Sequence, residues 1–122
     1  MFNFLRPNAS GAKVSRIAPA EAVARVKSGE IVLIDVRDAS EVAQGRAEGA
    51  IHVPLMTLRM KCDPSSPEFL PALSKGKPVC LYCALGARSQ SAAQMLAQMG
   101  YETVYNLGGL RDWHAGGGKI TR

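Results

Sequence analysis

The sequence predicts a three-layer α/β fold, in which helices cover both faces of a mostly parallel sheet. Strand-like and helix-like segments alternate along the chain, as they do where right-handed crossovers join parallel strands. Residues 31–34 are continuously apolar, which is typical of a strand covered on both faces. Residues 79–82 are a second apolar, strand-prone run, followed at once by a tight loop and a helix-like segment. These patterns together predict a parallel sheet between helices.

Length, charge and cysteine content limit the class of protein. The 122 residues suffice for one domain with a buried core. The net charge of +5 comes from basic residues scattered between Arg6 and Arg122, so we expect no nucleic acid partner. No apolar run approaches the roughly 20 residues of a membrane span, and the amino terminus does not resemble a signal peptide. Three cysteines, an odd number, fit a reducing compartment, and we expect a cytoplasmic protein.

The first half of the chain is predicted to hold three strands. Residues 1–13 contain turn formers and are expected to be an arm before a single domain over residues 14–122. Strands are predicted at 14–17, 31–34 and 50–54, with a helix opened by Pro19 and ended at Ser28-Gly29. A short helix at 40–44 is expected to be capped by Ser40.

Asp35 and Arg37 follow the run 31–34 and thus lie at the carboxyl end of a predicted strand. Either residue could take part in a functional site, or the two could tie the strand to its loop by an ion pair or hydrogen bonds. We favour the tie, because polar groups at a buried strand end need partners. His52 is interpreted as a strand residue whose ring is hydrogen-bonded. No second ligand lies near it at metal-site spacing, so we expect no metal.

The second half is predicted to begin irregularly and to end in a loose tail. Three prolines limit residues 55–73 to short helical turns. Cys62 is expected near the surface. A strand is predicted at 103–105, a loop at 106–110, and then a short helix with Trp113 as a packing residue. A flexible tail is expected to start at 116–118. The residues expected to cover one face of the sheet are Met56, Leu58, Met60, Phe69 and Leu70.

The stretch from Cys83 to Ser89 carries the candidate chemistry. Cys83 lies at the carboxyl end of a predicted strand and faces the start of a helix that Ser89 can cap, and α/β sheets place their sites there. Inward-pointing N–H groups of the loop and the helix dipole attract an anion and favour a nucleophilic thiolate on Cys83. Gly86 can adopt positive φ in mid-loop. Arg88 either adds charge at the rim or braces the loop from beneath.

The heptapeptide Cys83-Ala84-Leu85-Gly86-Ala87-Arg88-Ser89 resembles the Cys-x-x-Gly-x-Arg-Ser loop of rhodanese-like sulfurtransferases. The resemblance extends over nearly the whole chain after about Val14. It implies a five-stranded parallel sheet flanked by helices. One departure is Arg46-Ala47, where the family usually has His-Ile, in a segment that is mostly structural. The other segments that carry the resemblance are Asp35-Val36-Arg37, the stretch from Glu41 to Pro54, and Gly108-Gly109 with Trp113.

The resemblance implies transfer of sulfane sulfur through a persulfide on Cys83. Thiosulfate or a persulfide would be the donor, and a thiol, cyanide or a partner protein would be the acceptor. The loop amides from Ala84 to Arg88 would bind the terminal sulfur, and no cofactor or metal is implied. Ser89, Asp35 and Arg37 would support the site. Relatives that favour thiosulfate often carry basic residues in this loop, whereas Ala84, Leu85 and Ala87 are uncharged, so the natural donor stays open.

Three other interpretations of the cysteines are considered. Phosphatases and arsenate reductases place five residues between cysteine and arginine, whereas the loop here has four. Cys80 and Cys83 have the spacing of a dithiol or zinc pair, but Cys80 falls inside the strand, where we expect a buried residue on the opposite face. A sulfur carrier or partner-binding module without turnover is the third alternative.

Overall fold

The computed structural model describes residues 14–122 and confirms the predicted α/β architecture with its five-stranded sheet. The arm predicted at residues 1–13 lies outside the described residues. The strands are β1 (Val14–Arg16), β2 (Val32–Asp35), β3 (Arg46–Ala47), β4 (Ile51–His52), β5 (Val79–Cys83), β6 (Val104–Gly109) and β7 (Ile120–Thr121). The helices are α1 (Pro19–Lys27), α2 (Ala39–Val42), α3 (Leu58–Cys62), α4 (Ala87–Gln98) and α5 (Leu110–Ala115), with 3-10 turns at Leu55–Thr57 and Pro71–Leu73.

The main sheet has the order β1-β6-β5-β2-β4, and all of its neighbouring strands are parallel. β5 lies in the middle, and all five of its residues are buried. Its alternating side chains enter two different cores. Leu81 and Cys83 lie in the core on the α4 side, whereas Cys80 and Tyr82 lie in the core that contains Trp113. Both faces of the sheet are thus covered, as the continuous apolar runs predicted.

The register brings the carboxyl ends of three strands together at Cys83. Cys83 is paired with Gly109 of β6, and Tyr82 is paired with Asp35 of β2. The loops that follow β2, β5 and β6 therefore meet at one edge of the sheet. This is the edge at which parallel α/β sheets place their functional sites.

The predicted flexible tail at residues 116–118 is wrong. Gly118 packs against the Trp113 ring, and Gly116 lies against the backbone of Pro19, so a Cβ at either position would clash. The chain then forms β7, which pairs antiparallel with β3. Gly116 and Gly118 thus permit a close approach of neighbouring groups, and the chain there is packed rather than free.

Several local predictions also differ from the structure. Asp38, not Ser40, precedes the first turn of α2, and residues 106–109 extend β6 rather than forming a loop. Cys62 is buried rather than near the surface. Met56 is 97% exposed and does not cover the sheet, whereas Leu58 of the same segment is buried. No helix within residues 14–122 is long and apolar enough to cross a membrane.

Candidate active site

The Cys83 sulfur lies inside a ring of hydrogen-bond donors at the start of α4. The Gly86 N–H donates to Sγ at 3.0 Å, and the Ser89 N–H lies 3.4 Å from it. The Ser89 hydroxyl is also 3.4 Å from Sγ. Ser89 does not cap α4, because the helix begins at Ala87 and Gly86 occupies the capping position. Instead, the buried Ser89 side chain turns toward the sulfur from the first helical turn.

These donors lower the pKa of the Cys83 thiol. Burial is the largest single effect and acts in the opposite direction, since it penalises the thiolate. The Ser89 side chain and the N–H groups of Ser89, Gly86 and Leu85 outweigh it, so that the pKa lies below the ordinary thiol value. The site therefore favours the thiolate, which is the nucleophilic form of cysteine.

Glycines pack beneath the loop and hold its backbone close to β6. Gly86 has φ of +111°, and a Cβ built there would lie 3.4 Å from the Gly108 Cα. Gly109 lies directly against the Ala84 carbonyl, so that any side chain at position 109 would displace the loop. The paired glycines thus let the loop after β5 rest on the neighbouring strand.

Arg88 braces the loop by a bidentate ion pair with α2. Its Nη1 and Nη2 donate to the two carboxylate oxygens of Glu41 at 2.7 and 2.9 Å. The Asp38 N–H also donates to Glu41, at 3.0 Å. The Arg88 bonds, followed by the Asp38 bond, lower the pKa of Glu41 to about 2. Of the two alternatives that the sequence left open for Arg88, the geometry favours the brace.

Asp35 and Arg37 form a buried ion pair with one another. The Arg37 side chain donates to Asp35 at 2.8–3.1 Å and to the Gly45 carbonyl at 2.7 Å. The Tyr82 hydroxyl donates to Asp35 and accepts the Ala47 N–H at 3.0 Å. These contacts agree with the favoured tie between strand and loop. A part for either residue in supporting the site stays a prediction.

Sequence reasoning missed Asn106 as a member of this site. Its side chain accepts a hydrogen bond from the Ser89 hydroxyl at 2.7 Å and donates to the Gly86 carbonyl at 3.2 Å. The sequence does contain one signal for this residue, because Asn106 directly precedes Leu107 and the glycine pair Gly108-Gly109. A polar residue is ordinary in a loop, so the loop predicted at residues 106–110 gives Asn106 no special role.

The other two cysteines lie in surroundings that differ from those of Cys83. Cys80 belongs to the core on the opposite face of the sheet, as predicted, and burial raises its pKa to about 12. Burial also raises the pKa of Cys62 to about 11. All three cysteines are free, and the alternation of side chains along β5 excludes a joint site for Cys80 and Cys83.

A polar cavity of about 390 Å³ lies beside the brace. Glu41 forms part of its wall, and so does Leu110, which directly follows the Gly109 beneath the loop. Leu85 at the tip of the loop is 77% exposed. The surface around the cysteine thus combines an apolar tip with a polar recess.

Comparisons with known proteins agree on one family. A sequence model of the rhodanese-like domain matches residues 18–116. A Coxiella burnetii protein named thiosulfate sulfurtransferase GlpE is 36% identical over 82% of this chain and 87% of its own. Its namesake from Actinobacillus succinogenes is 34% identical over 84% of this chain and 86% of its own.

Solved structures show the same fold. A Rhodopseudomonas palustris protein of unknown function, described as a possible tyrosine phosphatase, has a TM-score of 0.78 and 32% identity over 88% of this chain and 85% of its own. A human single-domain sulfurtransferase has a TM-score of 0.69 and 25% identity over 82% of this chain and 95% of its own.

Proposed function

Since this chain belongs to the rhodanese-like domain family and is a rhodanese-type sulfurtransferase, we propose that it carries sulfane sulfur as a persulfide on Cys83. The proposal rests chiefly on the hydrogen bonds to the Cys83 sulfur. Donors from Gly86 and Ser89 converge on the Cys83 sulfur and favour its thiolate. A thiolate held at the centre of a loop of N–H groups is the arrangement that nucleophilic sulfur chemistry needs.

In the first step, the Cys83 thiolate attacks the sulfane sulfur of the donor. A new S–S bond forms to Cys83 while the old bond to the donor breaks and its electron pair leaves with the donor remnant. That remnant is sulfite when the donor is thiosulfate, and a thiolate when the donor is a persulfide. The charge then lies on the terminal sulfur, which the loop N–H groups from Ala84 to Arg88 would stabilise.

In the second step, the acceptor removes the terminal sulfur. A thiolate or cyanide attacks it, the S–S bond to Cys83 breaks, and the thiolate of Cys83 is regenerated. Electrons balance within the two steps, so that no external oxidant or reductant is required. The covalent intermediate predicts ping-pong kinetics.

The charges around the loop affect which sulfur donor the site can bind. Arg88 is paired with Glu41, and the four loop residues before it are uncharged. The donor would therefore be held chiefly by backbone N–H groups, which suit a persulfide as well as thiosulfate. A protein thiol is a further candidate acceptor, since Leu85 is exposed at the loop tip. Three free cysteines fit a reducing compartment, and we propose the cytoplasm.

Steady-state kinetics of sulfur transfer from thiosulfate to cyanide test this function. We expect parallel double-reciprocal plots for the native protein and no transfer by Cys83→Ser. Cys80→Ala is the matched control, because it removes a thiol three residues away that faces the opposite core. Intersecting plots, or transfer by Cys83→Ser, would refute the proposal.

A further inference from the structure

Asn106 is a buried polar residue in β6 that the reaction steps above do not use. It is 5% exposed, yet each polar atom of its side chain has partners. Oδ1 accepts from the Gly108 N–H at 3.0 Å and from the Ser89 hydroxyl at 2.7 Å. Nδ2 donates to the Gly86 carbonyl at 3.2 Å and to Gln90 at 3.0 Å. Because the Gly108 N–H can only donate, the atom facing it must be the amide oxygen, and the orientation of the amide is fixed.

Two of these partners, Gly86 and Ser89, have N–H groups that reach the Cys83 sulfur. Asn106 thus binds the carbonyl of one and the hydroxyl of the other from the neighbouring strand. A hydrogen bond weakens steeply as its donor turns away from the acceptor. A group that holds both donors in place therefore controls how strongly they stabilise the sulfur.

The contact with Ser89 also selects the position of its hydroxyl. The Asn106 oxygen is the nearest of the three oxygen acceptors around this hydroxyl, since the Gly86 and Gly108 carbonyls lie at 3.1 and 3.5 Å. The hydroxyl has one hydrogen and donates it to Asn106, so this contact anchors Ser89 and with it the Ser89 N–H that reaches the Cys83 sulfur. Without Asn106, the hydroxyl can turn to the Gly86 or Gly108 carbonyl, and Gly86 loses a tie to β6.

We propose that Asn106 is a positioning residue, which holds Gly86 and Ser89 in the orientation that supports the charged sulfur of Cys83. The proposal rests on the proposed role of Cys83 as the nucleophile. It concerns the readiness of the sulfur to react, which can be measured without any sulfur transfer.

The pH dependence of alkylation at Cys83 measures this readiness. The charged groups nearest the loop include Arg88 on α4, its partner Glu41 on α2, and Asp112 on α5, which accepts the Gly109 N–H. Asp38 lies beside Arg88, Arg16 of β1 lies beside Gly108, and the paired Asp35 and Arg37 follow β2. Glu41 remains ionised above pH 5, since its pKa is about 2. Iodoacetamide labelling between pH 5 and 10, followed by peptide mass spectrometry, reports Cys83 separately from Cys62 and Cys80.

We expect Asn106→Ala to raise the midpoint of the labelling profile by about one pH unit, as the loss of well-aligned hydrogen bonds to a charged sulfur implies. Ser89→Ala should raise it as well, and the double variant should shift it by less than the sum, because Asn106 acts partly through Ser89. Gln94→Ala, an exposed change elsewhere on α4, is the matched control and should leave the profile unchanged.

Three results would overturn the proposal. The profile of Asn106→Ala could coincide with that of the native protein, or its shift could add fully to that of Ser89→Ala. A downward shift would show that Asn106 competes with the sulfur for the Ser89 hydrogen. If Asn106→Ala does not fold, Asn106→Leu replaces it, because leucine has nearly the side-chain shape of asparagine. The same shift of the labelling midpoint is expected, and the same three results would overturn the proposal. The proposed sulfur transfer is tested by a different measurement, since it fails if no persulfide forms on Cys83, whatever the labelling profile shows.

Discussion

At Cys83, a single sulfur atom is supported by donors from Leu85, Gly86 and Ser89. Cys83 and the spacing to Arg88 and Ser89 could be predicted from the sequence, because the loop pattern is local. Glu41 and Asn106 lie 47 and 17 residues away from the side chains that they bind. Such contacts depend on how strands are paired in the folded sheet, so that no local pattern shows which polar residue reaches the loop.

The role of Arg88 can be tested through its partner. If Arg88 acts as a brace, Arg88→Ala and Glu41→Gln should each lower kcat/KM for thiosulfate about tenfold, which corresponds to about 1.4 kcal/mol. Glu68→Gln, at an exposed ion pair with Lys61, is the matched control and should retain activity.

The two variants separate a brace from a direct contact with substrate. In Glu41→Gln, the Arg88 charge is no longer neutralised. If that charge bound the donor, KM for thiosulfate would fall in Glu41→Gln and rise in Arg88→Ala. Opposite changes of this kind would contradict the brace.

Between elements, the Glu41–Arg88 pair links α2 to α4 and gives stability a defined pH dependence. The pKa of Glu41 in the folded protein is about 2, below its ordinary value of 4.5. The pair therefore stabilises the fold fully above about pH 4.5, and its contribution is lost as the pH falls toward 2.

Thermal unfolding measured from pH 6 to pH 2 tests this dependence. The native protein should have the higher Tm at pH 6, and its advantage over Glu41→Gln should shrink below pH 4.5 and disappear near pH 2. A difference in Tm that is independent of pH would contradict the assigned titration.

The contact between β6 and the loop after β5 can be tested at Gly109. Its backbone suits any residue, so Gly109→Ala acts only through the clash of the new methyl group with the Ala84 carbonyl. We expect a loss of roughly 100-fold in kcat/KM, because a shift of about 1 Å in a catalytic group can cost that much. Gly117→Ala is the control: φ of +96° makes it strained, but no atom lies within 4 Å of the new Cβ. It should lower Tm and retain activity, and equal activities of the two variants would refute the contact.

Across the whole molecule, alternation of strands and helices was sufficient to predict the architecture. The apolar signal of the chain is strongest where a strand is buried on both faces and is continuously apolar, as in β5. The carboxyl-terminal glycines misled the prediction, because glycine is selected both for freedom and for close packing. Only the folded structure shows that Gly118 lies against Trp113.

The carboxyl-terminal segment should therefore stabilise the domain. The backbone carbonyl of Lys119 accepts a hydrogen bond from the indole N–H of the buried Trp113 at 2.8 Å, and β7 pairs with β3. Removal of residues 119–122 leaves the indole N–H unpaired, at a cost of about 1–3 kcal/mol. Differential scanning calorimetry should show a Tm lower by at least about 4 °C. An unchanged Tm would show that the segment is dispensable.

The most direct test of the central claim is the intact mass of the protein after incubation with thiosulfate. We expect a gain of one sulfur atom that cyanide or a thiol removes, present in Cys80→Ala and absent in Cys83→Ser. A protein that gains no sulfur from thiosulfate or from glutathione persulfide would contradict a persulfide on Cys83. Hydrolysis of phosphate esters would then be the next activity to measure.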